Sequence, residues 1–236
     1  MVIGISGRLG SGKDTVGKII QYLKCHSVGD ITIQDTLSCS EHDWWLEEQS
    51  GLEVKKFAGK LKQIASLLTG IPVEKFEDQE FKKTLLSKEW NSPYNIPFSG
   101  PDFVKHDGEM TVREFLQKLG TEAMREGLHT NVWVNALFAD YKNVYIGSWG
   151  QGNHMYEKPN WIITDMRFPN EMEAVVERKG ITIRVTRPDF LSFEAMLHPS
   201  ETALDDAKFD YEIINDGSLE DLVEKVKHIL TIEKII

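Results

Sequence analysis

The sequence predicts an α/β fold in which a parallel sheet is flanked by helices, and three observations support this prediction. Short apolar runs, which are typical of buried strands, alternate with longer segments whose apolar residues recur at helical spacing. The first run, Val2–Ser6, leads through a glycine-rich loop into a helical segment, which is the order of a βα unit. The chain has 236 residues, enough for one domain of this class with insertions.

In the first half of the chain, a helix is predicted at Lys13–Lys24 because its aliphatic residues recur every three or four positions. Glu53–Phe57 is a candidate second strand. The apolar residues after it predict another helix, which should end at Gly70, just before Pro72. The pattern is weak over two polar stretches, which we interpret as insertions into a single domain covering residues 1–236. These stretches are residues 27–52 and 74–110.

The middle of the chain is predicted to be helical. Thr111 and Glu114 stand three residues apart in a capping-box pattern, which predicts the start of a helix. Its buried side is expected to contain the apolar residues that follow at helical spacing, which are Val112, Phe115, Leu116, Leu119 and Ala123. A second helix is predicted over Val132–Tyr141, and the glycine-rich segment Gly147–Pro159 is predicted to be a loop.

The last part of the chain returns to alternating strands and helices. Strands are predicted at three apolar runs, namely Trp161–Thr164, Ile181–Thr186 and Tyr211–Ile214. A helix is expected over Asn170–Lys179, because Gly180 is a typical residue at which a helix ends. Ser218 is a suitable N-cap for a final amphipathic helix.

The charge balance argues against some classes of partner. The chain contains 27 Lys and Arg residues against 37 Asp and Glu residues, a formal net charge of -10. Because such a surface repels a phosphate backbone, a general nucleic-acid-binding role is disfavoured. No apolar stretch approaches the roughly 20 residues of a membrane span. The two cysteines allow one disulfide at most, so reduced thiols in a cytoplasmic setting are the simplest interpretation. We therefore expect a cytoplasmic protein without a membrane or nucleic-acid partner.

The loop after the first strand, GRLGSGK, fits the G-x-x-x-x-G-K pattern of a phosphate-binding P-loop. Glycines let backbone N–H groups turn toward phosphate oxygens, and the next helix directs the positive end of its dipole to the same point. Lys13 is the expected catalytic cation, since it can reach the β- and γ-phosphates. The residues expected to bind ATP here are Gly7, Gly10, Ser11, Gly12, Lys13, Asp14 and Thr15.

Carboxylates near this loop are candidate ligands of Mg²⁺. Asp14 stands where Ser or Thr usually follows the lysine, and a carboxylate is a hard oxygen ligand that suits Mg²⁺. The alternative is that Asp14 only stabilises the helix N-terminus and that Thr15 contacts the metal. Asp165 ends an apolar strand at the edge where parallel α/β folds place ligands. It is a candidate for Mg²⁺ or for a base on an acceptor phosphate, or else a turn residue before Pro169.

Two further arginines follow predicted strands. Arg167 is a candidate catalytic residue because it could clamp a phosphate, but it could equally form a salt bridge with Glu171. Arg187 precedes Pro188 and could contact the ATP phosphates or stack on adenine.

A polar stripe on the central helix is a candidate acceptor site. Its four members recur every four residues and are Arg113, Gln117, Thr121 and Arg125. Two guanidinium groups and an amide suit a phosphate and a base edge, whereas the alternative is an ordinary solvated helix face. Glu122 and Trp133 are weaker candidates, and the tryptophan could be a stacking plate or a core residue.

Several segments resemble, in order and spacing, the deoxynucleoside monophosphate kinases of bacteriophages. These segments are GSGKDT, WIITDMRFPNEMEAV, ITIRVTRP, HPSETALDD and FDYEIINDGSLEDLVEKV, and MTVREFLQKLGTEAMREGLHTNVWV is similar to the central helical region of that family. The resemblance implies a P-loop kinase fold and ATP-dependent phosphoryl transfer to a deoxynucleoside 5'-monophosphate. It also implies that the loop with Asn215 lies against adenine, although the residues alone also fit a plain turn.

Other activities stay open at this point. The accepted bases are undetermined, and a homodimer is compatible with the sequence. The alternatives are another P-loop metabolite kinase, such as one acting on dephospho-coenzyme A, and a P-loop ATPase that transfers no phosphate to a metabolite. A GTPase is disfavoured, because no N/T-K-x-D motif follows a strand.

Overall fold

The computed structural model of the chain describes residues 1–25, 31–90, 109–149, 153–188 and 202–236. Residues 27–30 and 91–108 of the two predicted insertions lie outside these ranges. The described residues form two compact units, one of Met1–Phe57 with Val134–Ile236 and one of Ala58–Trp133. The assignment of the whole chain to one domain with insertions stays a prediction.

The larger unit contains a five-stranded sheet in which every neighbouring pair is parallel. Its strands are β1 (Val2–Ser6), β2 (Glu53–Lys55), β5 (Trp161–Met166), β6 (Ile181–Thr186) and β7 (Tyr211–Ile214). Their order across the sheet is β2-β5-β1-β6-β7. The first strand therefore lies in the centre, and the loop that follows it opens at the carboxyl edge, where α/β sheets bind ligands.

Helices connect and cover these strands. In the larger unit they are α1 (Lys13–Lys24), α2 (Ile33–Ser38), α3 (Asp43–Ser50), α7 (Pro169–Glu177) and α8 (Leu219–Ile232). The other helices are α4 (Phe57–Thr69), α5 (Val112–Gln117), a π-helix (Lys118–Glu126) that continues α5, and α6 (Val132–Phe138). No helix among the described residues is long and apolar enough to cross a membrane.

The two faces of the sheet are covered by different helices. Side chains alternate along β1, so Ile3 and Ile5 point to one face and Gly4 to the other. Ile3 and Ile5 belong to one buried cluster with residues of α1 and α8, such as Ile19 and Val226. A Cβ at Gly4 would lie 3.1 Å from Val175 of α7. The predicted α/β architecture, a parallel sheet flanked by helices, is confirmed.

The smaller unit has its own buried cluster around the side chain of Phe76. The other buried members of this cluster are Ala65, Leu86, Met110, Val112 and Phe115. The capping box that opens α5 is formed as predicted, because Thr111 accepts from the N–H of Glu114 and the Glu114 carboxylate accepts from that of Thr111. Short 3-10 turns at Val73–Glu77, Phe81–Lys83 and Lys88–Trp90 occupy much of the described part of the predicted second insertion.

Two predictions about the middle of the chain were wrong. The segment predicted to be a loop at 147–159 forms a large part of an antiparallel hairpin of β3 (Val144–Trp149) and β4 (Asn153–Glu157). Its register shifts between Tyr145 and Gly147, so a glycine inside the strand marks a bulge and not a loop. Ala123 was expected to be buried, but it is exposed.

The exposure of Ala123 follows from the π-helix. Hydrogen bonds in a π-helix join residues five apart, so the buried face turns away from the four-residue spacing of an α-helix. Gly120 is the buried residue of this segment, with the Leu61 side chain close to it. Smaller differences concern ends, because β2 stops at Lys55, Phe57 begins α4, and α6 stops at Phe138.

Candidate active site

The loop between β1 and α1 is folded tightly and depends on its glycines. Gly10 and Gly12 have φ angles of 77° and 98°, a region that L side chains rarely adopt. A Cβ at Gly7 would lie 2.3 Å from Ser11 Oγ, so that position also requires glycine. The N–H of Ser11 donates to the carbonyl of Arg8 at 3.1 Å, which closes a turn inside the loop.

Lys13 begins α1 and is 7% exposed. A lysine this buried does not extend its ammonium group freely into solvent. Ser11 is also buried, and its Oγ has no hydrogen-bond partner among the described residues. A buried hydroxyl without a partner is costly, and a bound ligand that contacts it would remove that cost.

Asn215 follows β7 and is tied to the P-loop. Its side-chain Nδ2 donates to the carbonyl of Ser11 at 2.9 Å, and its N–H donates to the carbonyl of Thr186 at 2.7 Å. A Cβ at Gly12 would lie 2.5 Å from this Nδ2, so the close approach of Asn215 is a second reason for glycine there. The structure therefore brings the predicted Asn215 to the predicted loop, although they are distant in sequence.

Asp14 lies in the first turn of α1, and its side chain is 59% exposed. Its Oδ1 accepts a hydrogen bond from Thr164 Oγ1 at 2.7 Å and lies 3.4 Å from Lys56 Nζ. Partial loss of hydration raises the pKa of Asp14, but the charge of Lys56, the bond from Thr164 and the charge of Lys13 together lower it more. The net result is an Asp14 pKa below its ordinary value.

Asp165 is half-buried at the end of β5, next to the threonine that contacts Asp14. Its Oδ1 accepts a hydrogen bond from the N–H of Phe57 at 2.7 Å, which satisfies a donor at the start of α4. Among the described residues no group of three or more His, Cys, Asp or Glu side chains is placed to hold a metal ion. One or two carboxylates with phosphate oxygens are the usual environment of Mg²⁺ in kinases, so Asp14 and Asp165 fit this ion.

The predicted residues Thr15 and Arg167 are both half-buried in the larger unit. Thr15 follows Asp14 in the first turn of α1. The carboxylate of Glu171, 2% exposed, accepts from the N–H groups of Arg167 and Phe168 at 2.8 and 3.1 Å. Glu171 therefore contacts Arg167 through the backbone and fixes the turn that leads into α7.

A cleft of about 450 Å³ lies beside the P-loop. Three residues of the loop form one part of its walls, namely Arg8, Leu9 and Ser11. The rest is formed by residues 184–188, which cover the end of β6 and the two positions after it, and by Asp205 and Glu212. The predicted Arg187 is exposed in this wall. The sequence reasoning missed Arg8, Arg184 and Asp205, although Arg8 stands inside the motif itself.

The predicted acceptor residues all lie in the smaller unit. Arg113 donates from Nη2 to Gln79 Oε1 at 3.1 Å, and Arg125 donates from Nη1 to the carbonyl of Thr130 at 3.5 Å. Gln117 is exposed at the end of α5.

Three members of this set, Thr121, Glu122 and Arg125, lie on the π-helix. Thr121 is half-buried, and exposed Glu122 lies 3.9 Å from Lys118 Nζ. The four-residue stripe therefore begins on an α-helix and continues on a π-helix, where its spacing no longer keeps the residues on one line.

Trp133 has the surroundings of a core residue. Its ring is 5% exposed, and its Nε1–H donates to the carbonyl of Gly120 at 2.9 Å. Because the ring is buried and its polar atom is satisfied, these contacts favour the core alternative over a stacking plate. Lys62, which sequence reasoning did not select, is 8% exposed and forms an ion pair with Glu77 at 2.5 Å in the same unit.

Comparison with known proteins gives consistent matches. The family model described as deoxynucleotide monophosphate kinase matches residues 83–226, more than half of the chain. A deoxynucleoside-5'-monophosphate kinase of Escherichia phage T5 is 22% identical over an alignment that covers 91% of this chain and 89% of that protein. A deoxynucleotide monophosphate kinase of Enterobacteria phage T4 is 30% identical over 53% of this chain and 48% of that protein. A putative deoxynucleotide monophosphate kinase of Acanthamoeba polyphaga mimivirus is 28% identical over 49% and 59%, respectively.

Proposed function

The chain belongs to the deoxynucleotide monophosphate kinase family, and from this premise we propose that it transfers the γ-phosphoryl group of ATP to a deoxynucleoside 5'-monophosphate. The products are ADP and the deoxynucleoside diphosphate. The observation that carries the proposal is the loop between β1 and α1, with its left-handed glycines and its buried lysine. Such a loop presents N–H groups to phosphate oxygens at the N-terminus of a helix.

The ATP phosphates bind this loop from Gly7 to Thr15. The loop N–H groups hold the phosphate oxygens, and Lys13 offsets the negative charge of the group being transferred. Asn215 supports the loop through the carbonyl of Ser11, and Arg187 contacts the nucleotide from the wall of the cleft. Positioning and charge compensation carry most of the catalysis in such a reaction, so a covalent nucleophile is not needed.

Asp14 and Asp165, with Thr15 as the neighbouring hydroxyl, are the residues that would hold Mg²⁺. When bound, the ion neutralises phosphate charge during transfer. Asp14 supplies an exposed carboxylate, and its Oδ1 contacts Thr164 Oγ1 and Lys56 Nζ. Lys56 and Thr164 orient this carboxylate and keep it ionised.

The acceptor binds through residues of the smaller unit. Arg113 and Arg125 supply charge for its phosphate. Separately, Arg167 of the larger unit is a candidate to clamp a phosphate. Gln117, Thr121 and Glu122 are the polar candidates for contacts with the sugar and base. In the transfer step, an oxygen of the acceptor phosphate forms a bond to the γ-phosphorus while the bond from that phosphorus to the bridging oxygen of ADP breaks.

The proposal is tested by following ADP formation from Mg-ATP with a panel of deoxy- and ribonucleoside monophosphates and dephospho-coenzyme A. ADP should form only when a deoxynucleoside monophosphate is present. The control is Lys13→Ala, which should fold normally by circular dichroism and turn over at least about a hundredfold more slowly. Acceptor-independent ADP formation would instead support an ATPase, and turnover only with dephospho-coenzyme A would support a different metabolite kinase.

A further inference from the structure

A carboxylate bridges two arginines beside the P-loop. Asp205 Oδ2 lies 2.7 Å from Arg8 Nη2, and Asp205 Oδ1 lies 2.7 Å from Arg184 Nη2. Each oxygen therefore contacts a different guanidinium group. All three residues line the cleft beside the P-loop, and only Arg8 belongs to the loop itself.

The Arg184 end of this arrangement is anchored on the sheet. Arg184 lies next to Ser6 in the register between β6 and β1, and its Nη1 donates to Ser6 Oγ at 3.0 Å. Ser6 is buried, and the guanidinium carbon of Arg184 lies 5.7 Å from the ring centroid of Phe209. Arg184 is thus held by a strand, a buried hydroxyl and an aromatic ring, so it forms a fixed base for Asp205.

Arg8 is the member of this arrangement that belongs to the expected phosphate-binding loop. The carbonyl of Arg8 accepts from the N–H of Ser11 within the P-loop, so its backbone position is set by the loop turn. Its side chain is set by Asp205. A guanidinium group has five N–H donors in a fixed plane, so the bond to Asp205 leaves others available for a second anion. Without Asp205, Arg8 and Arg184 would face each other as like charges, and Arg8 would be released.

We propose that Asp205 is a positioning residue that holds Arg8 toward the phosphates of the bound nucleotide. This inference rests on the proposed function, because it assigns the contact to ATP. The arginine is supplied by the P-loop, and its orientation is supplied by a residue almost two hundred positions later in the chain. Arg8 in turn contributes a charge-assisted hydrogen bond to the nucleotide, as arginine forks do with phosphate.

A purely structural ion pair would behave differently. The side chains of Arg8 and Asp205 are 27% and 31% exposed, and ion pairs at such sites contribute little to stability. Loss of Asp205 should therefore change catalysis much more than it changes the melting temperature. The two roles are distinguished by the coupling between the substitutions at Asp205 and Arg8. If Asp205 acts through Arg8, its substitution should not change the kinetics further once Arg8 is absent.

The experiment compares kcat and the KM for ATP in wild type, Asp205→Asn, Arg8→Ala and the double variant. Asp205→Asn should lower kcat/KM for ATP about ten- to hundredfold, since a misplaced group costs a factor of this size. The double variant should match Arg8→Ala alone. The matched control is Asp206→Asn, because Asp206 is an exposed neighbour of Asp205 that does not line the cleft. The kcat/KM of this variant for ATP should equal that of wild type.

The inference would be overturned by additive losses in the double variant, by unchanged kinetics of Asp205→Asn, or by an increase in activity. An increase would mean that the carboxylate competes with the ATP phosphates for Arg8. If the wild-type protein forms no diphosphate, the proposed function fails by itself. The same four proteins, titrated with ATP by calorimetry, then test the coupling between Asp205 and Arg8 as an equilibrium affinity.

Discussion

Asp14 places a negative charge directly after the P-loop lysine, where a hydroxyl is usual. Its carboxylate is exposed, accepts from Thr164 and lies near Lys56. If this group is a ligand of Mg²⁺, Asp14→Asn should raise the Mg²⁺ concentration needed for half-maximal activity, since a neutral amide is a weaker ligand. The KM for ATP at saturating Mg²⁺ should change little. A magnesium titration of the steady-state rate measures this.

The control for that titration is Asp43→Asn. Asp43 begins α3 and contacts Lys18 of α1, the helix that also contains Asp14, at 2.6 Å. This variant therefore also removes an acidic partner of a lysine. Its magnesium dependence should match that of wild type. An Asp14→Asn enzyme with an unchanged magnesium titration would instead assign Asp14 to the helix N-terminus alone.

The ionisation of Asp14 gives a separate prediction about pH. The folded pKa of Asp14 lies below its ordinary value because Lys56, Thr164 and Lys13 outweigh the loss of hydration. Its contribution to stability is therefore present above the unfolded pKa and is lost as the pH falls through the folded pKa. Lys56→Gln should raise the Asp14 pKa, as measured by carboxyl NMR titration of the nucleotide-free protein.

Lys55→Gln is the matched control, since Lys55 is adjacent and pairs with Glu53 at 2.6 Å instead. It should leave the Asp14 titration nearly unchanged. Equal effects of the two substitutions would show that the Asp14 pKa responds to general charge and not to the specific contact with Lys56.

Two consecutive helical elements provide the candidate acceptor arginines, since Arg113 lies on α5 and Arg125 on the π-helix that follows it. Charge-assisted bonds from a guanidinium fork contribute about 1.5 to 3 kcal/mol each, which is roughly ten- to hundredfold in affinity. Arg113→Lys and Arg125→Lys keep the charge but lose the two-pronged geometry. Each should raise the KM for the acceptor by about that factor and leave the KM for ATP nearly unchanged in steady-state assays.

Arg178→Lys provides the comparison for these two variants. Arg178 donates to the carbonyl of Ala174 at 2.6 Å and lies over the Phe138 ring, so its guanidinium group already has partners within the larger unit. Its KM for the acceptor should stay at the wild-type value. Variants at positions 113 and 125 that weakened only ATP binding, or that had no effect, would make the stripe a solvated helix face.

Elements with strong local signals were predicted closely. The bounds of β1, α1, β6 and β7 match the predicted ranges, because apolar runs, glycines and caps mark them within a few residues. The hairpin of β3 and β4 was missed because its glycines resemble a loop pattern. The π-helix was missed because the widening of a helix at 118 depends on packing that local spacing does not encode.

The residues of the candidate site also divide into those with a local sequence signal and those without one. The P-loop follows from one contiguous motif, so its residues were predicted as a set. The contact of Asn215 with Ser11 spans 204 positions, and that of Asp205 with Arg8 spans 197. The sequence contains no local signal that joins such partners, so the link between the loop and Asp205 required the structure.

For the whole molecule, the distribution of charge matters more than its sum. The chain carries a formal net charge of -10, yet three arginines line the cleft beside the P-loop, namely Arg8, Arg184 and Arg187. Two carboxylates share the lining, those of Asp205 and Glu212. Positive charge concentrated in a cleft of an acidic protein favours a small polyanion over a polynucleotide lying across the surface. Added DNA or RNA should therefore leave the rate of ATP turnover unchanged.

The proposed reaction moves the terminal phosphate of ATP onto a deoxynucleoside monophosphate at the P-loop. It is tested most directly with ATP labelled in the γ-phosphate, by separating the products after incubation with Mg²⁺ and each deoxynucleoside monophosphate. The label should appear in the deoxynucleoside diphosphate with wild type and be nearly absent from it with folded Lys13→Ala. Label released as inorganic phosphate, whether or not an acceptor is present, would contradict it.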